Sequence, residues 1–506
     1  MKLILLGLSF FTCTVICAQQ PLSEVQTQSG KISGGITGSG NHIFKGIPFA
    51  AAPVGELRWK APQPVGSWQG VRKCEDFGAS PMQGKPAPFG PWTKPYLIRD
   101  TPISEDCLYL NLWTPAKSPK ELLPVLVWIY GGGFSSGGSG CPIYDGDAMA
   151  SKGIVFVTIN YRVGIFGFFA HPELTAESPV HASGNYGLMD QVAALQWVKQ
   201  NIAAFGGDPA NVTIAGQSAG SMSVNCLVAS PLAKGLFNKA IAESGANFTR
   251  NSGSLADAEK EGATLVAGAS LADLRKMPAD ELMKKTSGFR GPIVDGYVLP
   301  AQIADIFGSD KENKVALLTG WNEDEGLVFG PAKNAADFRK DMGKNFGSDS
   351  AKILSFYTAN SDEDAAKSQN ALSRDQIFGM QNYVWANTES ARKRKVFVYR
   401  FKRKVPAEGE YAKYGAFHTG EVPYAYDNLK YGDRPYEQAD REIAGLMSSY
   451  WANFIKTGDP NSKGLPYWPV YSNAEKQVMY FDQKSLAGPM KDAAQLELLY
   501  TKMKRN

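Results

Sequence analysis

A serine set between two glycines is the first residue of this chain whose surroundings suggest catalysis. Ser218 lies in Gly216-Gln217-Ser218-Ala219-Gly220, between the apolar, β-branched run 211–215 and a second run of small and apolar residues. A strand, a sharp turn with serine at its tip and then a helix is the arrangement that exposes a serine hydroxyl as a nucleophile. The pattern recurs around Ser135, but Gly-Gly-Ser-Gly-Cys-Pro follows there and cannot continue as a helix. The sequence therefore favours Ser218 as nucleophile and predicts that Ser135 lies in a loop.

A catalytic serine needs a base, which is normally a histidine held by a carboxylate. In sites of this kind the order along the chain is serine, acid, histidine. Of the four histidines, only His418 follows Ser218, and the glycines on either side of it indicate a loop. Glu323, Asp324 and Glu325 come shortly after a predicted strand, where an acid should sit. By chemistry alone, any of the three carboxylates could hold His418.

A run of three glycines could supply the groups that stabilise negative charge in an acyl-transfer reaction. Tyr130-Gly131-Gly132-Gly133-Phe134 directly follows the apolar run 125–130, which reads as a buried strand. Glycines allow the backbone to approach a ligand closely, and backbone N–H groups aimed at a developing oxyanion stabilise it. No Lys-Ser or Lys-Thr pair follows, which excludes a P-loop. The chain has neither His-x-x-x-His nor paired Cys-x-x-Cys, so we expect no metal site.

These residues must be positioned by a sheet with helices around it. Apolar runs at 125–130, 154–160, 212–215, 239–242, 315–318 and 396–401 alternate with helical patterns, which predicts a mostly parallel sheet with helices on both faces. Residues 30–34 and 42–48 are expected to form an antiparallel N-terminal edge. The charged segment from roughly 329 to 395 is expected to be a helical insertion that could cover the carboxyl edge of the sheet.

The N-terminus resembles an export signal. Met1-Lys2, an apolar run from Leu3 to Ile16 and then Cys17-Ala18 predict a secretory signal peptide over residues 1–18, followed by one domain over 19–506. We therefore expect a secreted or periplasmic protein without a membrane anchor. The net charge of +4 is spread out apart from the basic run 392–395, which is typical of a solvated helix end, so no nucleic-acid partner is expected. Nothing in the sequence indicates the oligomeric state.

The chain resembles the type-B carboxylesterases, the α/β-hydrolase family that includes cholinesterases and bacterial p-nitrobenzyl esterases, over nearly all of its mature length. The resemblance is carried by motifs in the order in which they occur in the family: 44–50 (Phe-Lys-Gly-Ile-Pro-Phe-Ala), 104–111 (Ser-Glu-Asp-Cys-Leu-Tyr-Leu-Asn), the glycine run 130–134, 160–164 (Asn-Tyr-Arg-Val-Gly), 184–191 (Gly-Asn-Tyr-Gly-Leu-Met-Asp-Gln), the turn at Ser218, 451–454 (Trp-Ala-Asn-Phe) and 457–460 (Thr-Gly-Asp-Pro).

This resemblance implies an α/β-hydrolase fold and hydrolysis of small-molecule carboxylic esters through an acyl-enzyme, without a cofactor. It also implies roles for individual residues. They are the triad Ser218, Glu325 and His418, the oxyanion-hole N–H groups of Gly132, Gly133 and Ala219, a disulfide between Cys74 and Cys107, and a structural ion pair between Arg58 and Glu105. Cys141 and Cys226 match no disulfide of the family, and Cys226 is expected to be a buried thiol in the helix after Ser218.

One departure from the family bears on the substrate. Cholinesterases have Glu immediately before the nucleophile, which helps to hold a cationic substrate, whereas this chain has Gln217. A choline ester is therefore not favoured. Two alternatives remain open from the sequence: a non-catalytic adhesion or scaffold protein on the same fold, and an amidase or thioesterase that uses the same triad.

Overall fold

A large mixed sheet organises the chain. The structure is a computed structural model that describes residues 22–100, 102–249, 252–285, 291–328 and 332–503. The predicted signal peptide, residues 1–18, lies outside the described residues.

The strands are β1 (Glu24–Gln26), β2 (Lys31–Ser33), β3 (Gly35–Ile36), β4 (His42–Pro48), β5 (Val71–Lys73), β6 (Ser80–Pro81), β7 (Ile103–Ser104), β8 (Tyr109–Thr114), β9 (Leu123–Ile129), β10 (Val155–Ile159), β11 (Gly207–Gln217), β12 (Lys239–Glu243), β13 (Ala316–Asn322), β14 (Val396–Phe401), β15 (Gln477–Phe481) and β16 (Leu486–Pro489). The α-helices are α1 (Asp147–Ala150), α2 (Gly164–Phe168), α3 (Pro172–Glu177), α4 (Tyr186–Asn201), α5 (Ala219–Ala229), α6 (Leu255–Leu265), α7 (Leu271–Lys276), α8 (Ala279–Lys285), α9 (Ile303–Gly308), α10 (Ala335–Phe346), α11 (Ser350–Phe356), α12 (Asp362–Arg374), α13 (Met380–Ala391), α14 (Val422–Ala425), α15 (Gln438–Thr457) and α16 (Ala493–Met503).

Within the described ranges, eleven strands form the main sheet in the order β16-β15-β14-β13-β12-β11-β9-β10-β8-β4-β3. All neighbours from β15 to β10 pair in parallel, whereas β8, β4 and β3 at one edge and β16 at the other pair antiparallel. The predicted mostly parallel sheet is thus confirmed, and so is the antiparallel edge for residues 42–48. Residues 30–34 were expected at the same edge, but β2 (Lys31–Ser33) pairs instead with β1 and β5 in a separate three-stranded sheet. The antiparallel strand at the opposite edge was not predicted.

Burial along the central strands explains why they read as continuous apolar runs. Every residue of β10, β12 and β14 is buried, and so are residues 125–129 of β9. Strands buried on both faces gain from apolar side chains at every position. Helices α4, α5, α13 and α15 contact these strands and contribute to that cover.

The parallel order brings three strand ends to one edge of the sheet. In the order β13-β12-β11-β9, strand β9 ends before the glycine run, β11 ends before Ser218, and β13 ends before the carboxylates 323–325. β13 continues to Asn322, beyond the apolar run 315–318 that predicted it, because Gly320, Trp321 and Asn322 stay paired with residues 399–401 of β14. Ligands of open parallel sheets bind outside such carboxyl ends.

Helices fill the segment between β13 and β14. Helices α10 to α13 occur there, and a π-helical segment, Asp375–Gly379, joins α12 to α13. Helix α13 contacts both β13 and β14, and α12 contacts the π segment. None of the helices in the described ranges has both the length and the apolar character that crossing a bilayer requires.

Candidate active site

Ser218 stands on a sharp turn between β11 and α5. Its backbone has φ +59° and ψ −125°, which is strained for a residue with a side chain. Its N–H donates a 2.9 Å hydrogen bond to the carbonyl of Glu243 at the end of β12. A Cβ on Gly216 would lie 2.5 Å from backbone atoms of Gly220, and one on Gly220 would lie 2.0 Å from the carbonyl oxygen of Ile129. Both glycines of the motif are thus needed for close backbone contact.

The glycine run after β9 lies against this turn. A Cβ on Gly131 would be 2.9 Å from the Cβ of Ser218 and 2.6 Å from the carbonyl oxygen of Gln217, so only glycine fits there. Gly132 and Gly133 both have positive φ, of +114° and +62°. Among the described residues, the N–H groups of Gly132, Gly133 and Ala219 donate to no protein acceptor. Free N–H groups at a helix start and a neighbouring loop can bind an anionic oxygen.

Glu325 and His418 form a buried hydrogen-bonded pair. Glu325 Oε2 lies 2.8 Å from His418 Nδ1, and the two residues are 1% and 5% exposed. The other carboxylate oxygen of Glu325 accepts a 2.8 Å bond from the N–H of Asn322. The Asn322 side chain donates to the carbonyl of Phe417, the residue before His418. Asn322 therefore ties the acid and the base to the end of one strand.

The three neighbouring carboxylates, which chemistry alone did not separate, have different partners. Glu323 Oε2 lies 3.1 Å from Arg400 Nε. Burial by itself would raise the pKa of Glu323, but the charges of Arg400 and then Arg374 outweigh burial and hold that pKa below its usual value. Asp324 accepts a 2.9 Å bond from the N–H of Ala416 and so fixes the loop before the histidine. Glu325 is the one of the three that bonds to the His418 ring.

Aromatic side chains enclose the His418 ring. Phe378, in the π segment, stacks on it with ring centroids 4.3 Å apart and an interplanar angle of 16°. Trp92 presents its ring at 86° with centroids 6.4 Å apart, and its Nε1–H donates to the carbonyl of His418 at 3.1 Å. Trp92 belongs to the loop between Cys74 and Cys107, so that loop reaches the site. These contacts restrict how the imidazole can tilt.

The Gln217 side chain lies against the His418 ring. Its nitrogen is 3.2 Å from Nε2 and 3.3 Å from Nδ1, and Thr419 donates to the Gln217 oxygen at 3.3 Å. Among the described residues, no hydrogen bond joins Ser218 Oγ to His418. Catalytic hydrogen bonds are often long without substrate and tighten when it binds. The structure thus brings Glu325 to His418 and the glycine run to Ser218.

Two further carboxylates are buried beneath the site. Glu243 accepts bonds from Tyr426 at 2.9 Å and from Trp451 at 2.8 Å, and burial raises its pKa to about 7. Burial, and then the charges of Glu243 and Glu325, raise the pKa of Glu421 well above its usual value. Asn322 also donates to Glu421, which places this carboxyl next to the acid of the pair.

The cysteines correct one expectation. Cys74 and Cys107 are both free and buried, so the predicted disulfide between them is not present. Burial raises the pKa of Cys74 to about 11 and that of Cys107 well above its usual value, so both are buried as neutral thiols. Cys141 and Cys226 are free and buried as well, and Cys226 lies in α5 after Ser218 as expected.

Other sequence expectations can be located directly. Ser135 is exposed, in a turn, and bonds only locally to the Gly133 carbonyl. Arg58 and Glu105 form an ion pair with Nε to Oε2 at 2.7 Å. No group of three metal-binding side chains occurs in the ranges that the structure describes.

Sequence reasoning missed Asn322 and Phe378. Asn322 could have been noticed as a polar residue that ends an apolar strand, whereas Phe378 lies in a helical segment without any motif.

These features define the α/β-hydrolase class. One sheet edge holds a strained serine on a strand–turn–helix, free N–H groups beside that serine, and a buried histidine–glutamate pair. A model of the "Carboxylesterase family" matches residues 21–498. The chain is 37% identical to the fumonisin B1 esterase of Sphingopyxis macrogoltabida, over 91% of this chain and 87% of that protein. It is 34% identical to the para-nitrobenzyl esterase of Bacillus subtilis (91% and 95%) and 33% identical to acetylcholinesterase-1 of Trittame loki (90% and 89%).

The chain therefore belongs to the carboxylesterase family, as its motifs predicted. It is a carboxylic ester hydrolase of the α/β-hydrolase fold, and its substrates are small-molecule esters.

Proposed function

We propose that this protein hydrolyses carboxylic esters through a Ser218–His418–Glu325 triad and a covalent acyl-enzyme. The observation that carries the proposal is the buried 2.8 Å contact between Glu325 and His418 at the sheet edge that also holds the Ser218 turn. A carboxylate on Nδ1 keeps the proton on that nitrogen, which leaves Nε2 as the acceptor of the ring. The non-catalytic alternative would require none of these groups to be kept together.

Acylation begins when Ser218 Oγ attacks the ester carbonyl carbon while its proton passes to His418 Nε2. The carbonyl oxygen becomes an oxyanion and accepts hydrogen bonds from the N–H groups of Gly132, Gly133 and Ala219. Collapse of this intermediate breaks the ester C–O bond, and the alcohol leaves with the proton from His418.

Deacylation repeats these steps with water. His418 takes a proton from water as its oxygen attacks the acyl carbon, and the oxyanion is held by the same N–H groups. Collapse then returns the proton to Ser218 Oγ and releases the carboxylic acid. Glu325 stabilises the imidazolium that forms twice in each cycle and keeps the ring in its productive tautomer.

The decisive experiment compares two serines that share one sequence pattern. Ser218→Ala is expected to lower kcat for para-nitrophenyl butyrate by about 10⁴-fold or more, because the covalent step is lost. Ser135→Ala is the matched control, since it alters the other Gly-x-Ser-x-Gly match in an exposed turn, and its kcat should stay close to that of the wild type. An organophosphate should add one label, on the peptide that carries Ser218. Equal hydrolysis by Ser218→Ala and the wild type would overturn the proposal.

We further propose that the chain is exported by cleavage after Ala18, on the strength of the basic and then apolar start of the sequence. Edman sequencing of the mature protein from the periplasm or the medium tests this. A first residue of Gln19 is expected, and an intact Met1 start in the cell fraction alone would contradict it.

A further inference from the structure

The loop between Cys74 and Cys107 reaches the active site, yet the stretch that leads to it is not held by packing. Residues 84–90 are all exposed, and glycine and proline are frequent among them. No disulfide closes the loop, because both cysteines are free. Trp92 nevertheless stands edge-on to the His418 ring. Contacts beyond this exposed stretch therefore fix the position of Trp92.

Two hydrogen bonds join the residues on either side of Trp92 to one distant dipeptide. The Thr93 hydroxyl donates to Asp433 Oδ1 at 2.8 Å, and Arg434 Nη2 donates to the Pro91 carbonyl at 2.6 Å. Pro91 and Thr93 are buried, and only 4% of the Arg434 side chain is exposed, so water competes little for these bonds. We call Asp433 and Arg434 the latch.

Arg434 also contacts the loop that carries the catalytic base. Its guanidinium lies over the rings of Tyr411 and Phe417, at 4.8 Å and 5.7 Å from their centroids. Cations are attracted to the faces of aromatic rings at such distances. Phe417 immediately precedes His418. One buried cation thus touches both the Trp92 loop and the histidine loop and helps to fix one against the other.

The indole N–H of Trp92 faces two acceptors beside the base. Trp92 Nε1 lies 3.1 Å from the His418 carbonyl oxygen and 3.2 Å from Thr419 Oγ1. Thr419 has φ +79°, which is strained for a β-branched residue. Strained backbone persists only where the surrounding structure holds it. The indole N–H is placed to hold this peptide, and with it the direction in which the imidazole leaves the backbone.

We propose that Asp433 and Arg434 are positioning residues for the base His418 and that they act through Trp92. This inference rests on the proposed function, in which His418 moves the protons. The latch holds Trp92 in place, the indole N–H holds the peptide that follows the base, and the imidazole keeps the direction that proton transfer requires. The effect is on rate, because a reacting group displaced by about 1 Å can cost about 100-fold.

The test removes one bond of the latch and asks whether Trp92 transmits the effect. Thr93→Val keeps the side-chain shape but loses the bond to Asp433, and Trp92→Phe keeps an aromatic ring but loses the N–H. Each should lower kcat for para-nitrophenyl butyrate by about tenfold, with KM changed less than about twofold. In the double variant, Thr93→Val should cause no further loss of kcat, because both changes break the same connection. Separate losses that multiply to about 100-fold would contradict transmission through Trp92.

Two control variants separate positioning from stability. Thr93→Ser retains the hydroxyl and should keep kcat close to that of the wild type. Thr114→Val makes the same substitution on β8, where the buried threonine hydroxyl donates to the Phe205 carbonyl at 2.9 Å. It should lose a similar free energy of unfolding as Thr93→Val without the loss of kcat. Equal kcat values for Thr93→Val and Thr114→Val would overturn the inference.

The other residue of the latch has its own test. Arg434→Gln removes the charge over Phe417 and should lower kcat at least as much as Thr93→Val does; a wild-type kcat would contradict the role of Arg434. Ser218→Ala separates the inference from the function on which it rests. If the proposed function fails, hydrolysis does not depend on Ser218. If only the inference fails, hydrolysis depends on Ser218 while both latch variants keep the wild-type kcat.

Discussion

The two halves of the active site are built in different ways. The serine half consists of backbone: the turn at 216–220 and the glycine run 131–133, which pack so closely that side chains at Gly131 or Gly220 would clash. The histidine half consists of side chains from three segments that lie far apart in sequence. His418, Glu325 and Phe378 meet only because loops after two strands and a π segment converge.

This difference determines which substitutions each half tolerates. Backbone geometry specified by consecutive glycines leaves no room for a side chain, so a single methyl group should disrupt the serine half as a whole. Side-chain packing around the imidazole can lose one contact and keep the others, so the histidine half should respond in steps. Variants on the two sides test that contrast.

The largest effect is expected at Gly220. A Cβ there would lie 2.0 Å from the carbonyl oxygen of Ile129, a rigid backbone atom in the central strand β9. Gly220→Ala should therefore reduce the free energy of unfolding by about 3 kcal/mol or more and abolish esterase activity. Gly445→Ala is the matched control, because this glycine of α15 has open space around it, and the change should stabilise by about 0.5–1 kcal/mol. Urea unfolding and para-nitrophenyl butyrate hydrolysis measure both, and near wild-type values for Gly220→Ala would contradict the contrast.

The next largest effect is expected at Glu325. Glu325→Gln keeps the shape but can place an N–H group towards His418 Nδ1, which favours the unproductive tautomer. kcat should fall by about 10³–10⁴-fold while the protein stays folded. Asp324→Asn is the control, since Asp324 bonds the Ala416 N–H and not the ring; its kcat should fall less than about tenfold. If Asp324→Asn has the greater effect, the acid has been assigned to the wrong carboxylate.

The same contrast explains what the sequence could and could not predict. The parallel sheet and the setting of Ser218 were readable because they depend on contiguous residues: apolar runs, glycines and the helix-compatible stretch after the serine. Ser135 was separated from Ser218 on local grounds alone. The choice among Glu323, Asp324 and Glu325 was not readable from chemistry, because the groups that distinguish them, Arg400, the Ala416 N–H and the His418 ring, lie far away in the sequence. The absent Cys74–Cys107 bond had been inferred from family resemblance and not from any local pattern.

Glu243 is hydrogen-bonded to the serine half, and its buried carboxyl should make stability depend on pH. Its carbonyl accepts the Ser218 N–H, while burial raises the pKa of its carboxyl from 4.5 to about 7. Below about pH 4.5 the group is protonated in both the folded and the unfolded state. Between about 4.5 and 7 only the unfolded chain releases the proton, so stability falls as pH rises, by up to about 3 kcal/mol in total.

Glu243→Gln removes this titration but keeps an oxygen for Tyr426 and Trp451. Relative to wild type, the variant should gain about 1–3 kcal/mol in free energy of unfolding between pH 5 and pH 8. Glu442→Gln, at an exposed site on α15, should show no such gain. Urea titrations at the two pH values decide this. If the difference in free energy of unfolding between wild type and variant is the same at pH 5 and pH 8, Glu243 does not titrate across this range.

The smallest effect is expected at Phe378, where the histidine half loses one contact and keeps the rest. Phe378→Leu removes the ring that stacks on His418 at 4.3 Å but leaves the Glu325 bond and Trp92 in place. The imidazole can then tilt, so kcat should fall by about tenfold with little change in KM. Phe397→Leu is the control, because Phe397 is equally buried but packs on Phe454 and Trp468. Both variants should lose similar stability. Equal kcat values for the two would show that the stack does not position the histidine, and a complete loss of activity in Phe378→Leu would mean that the histidine half is as intolerant as the serine half.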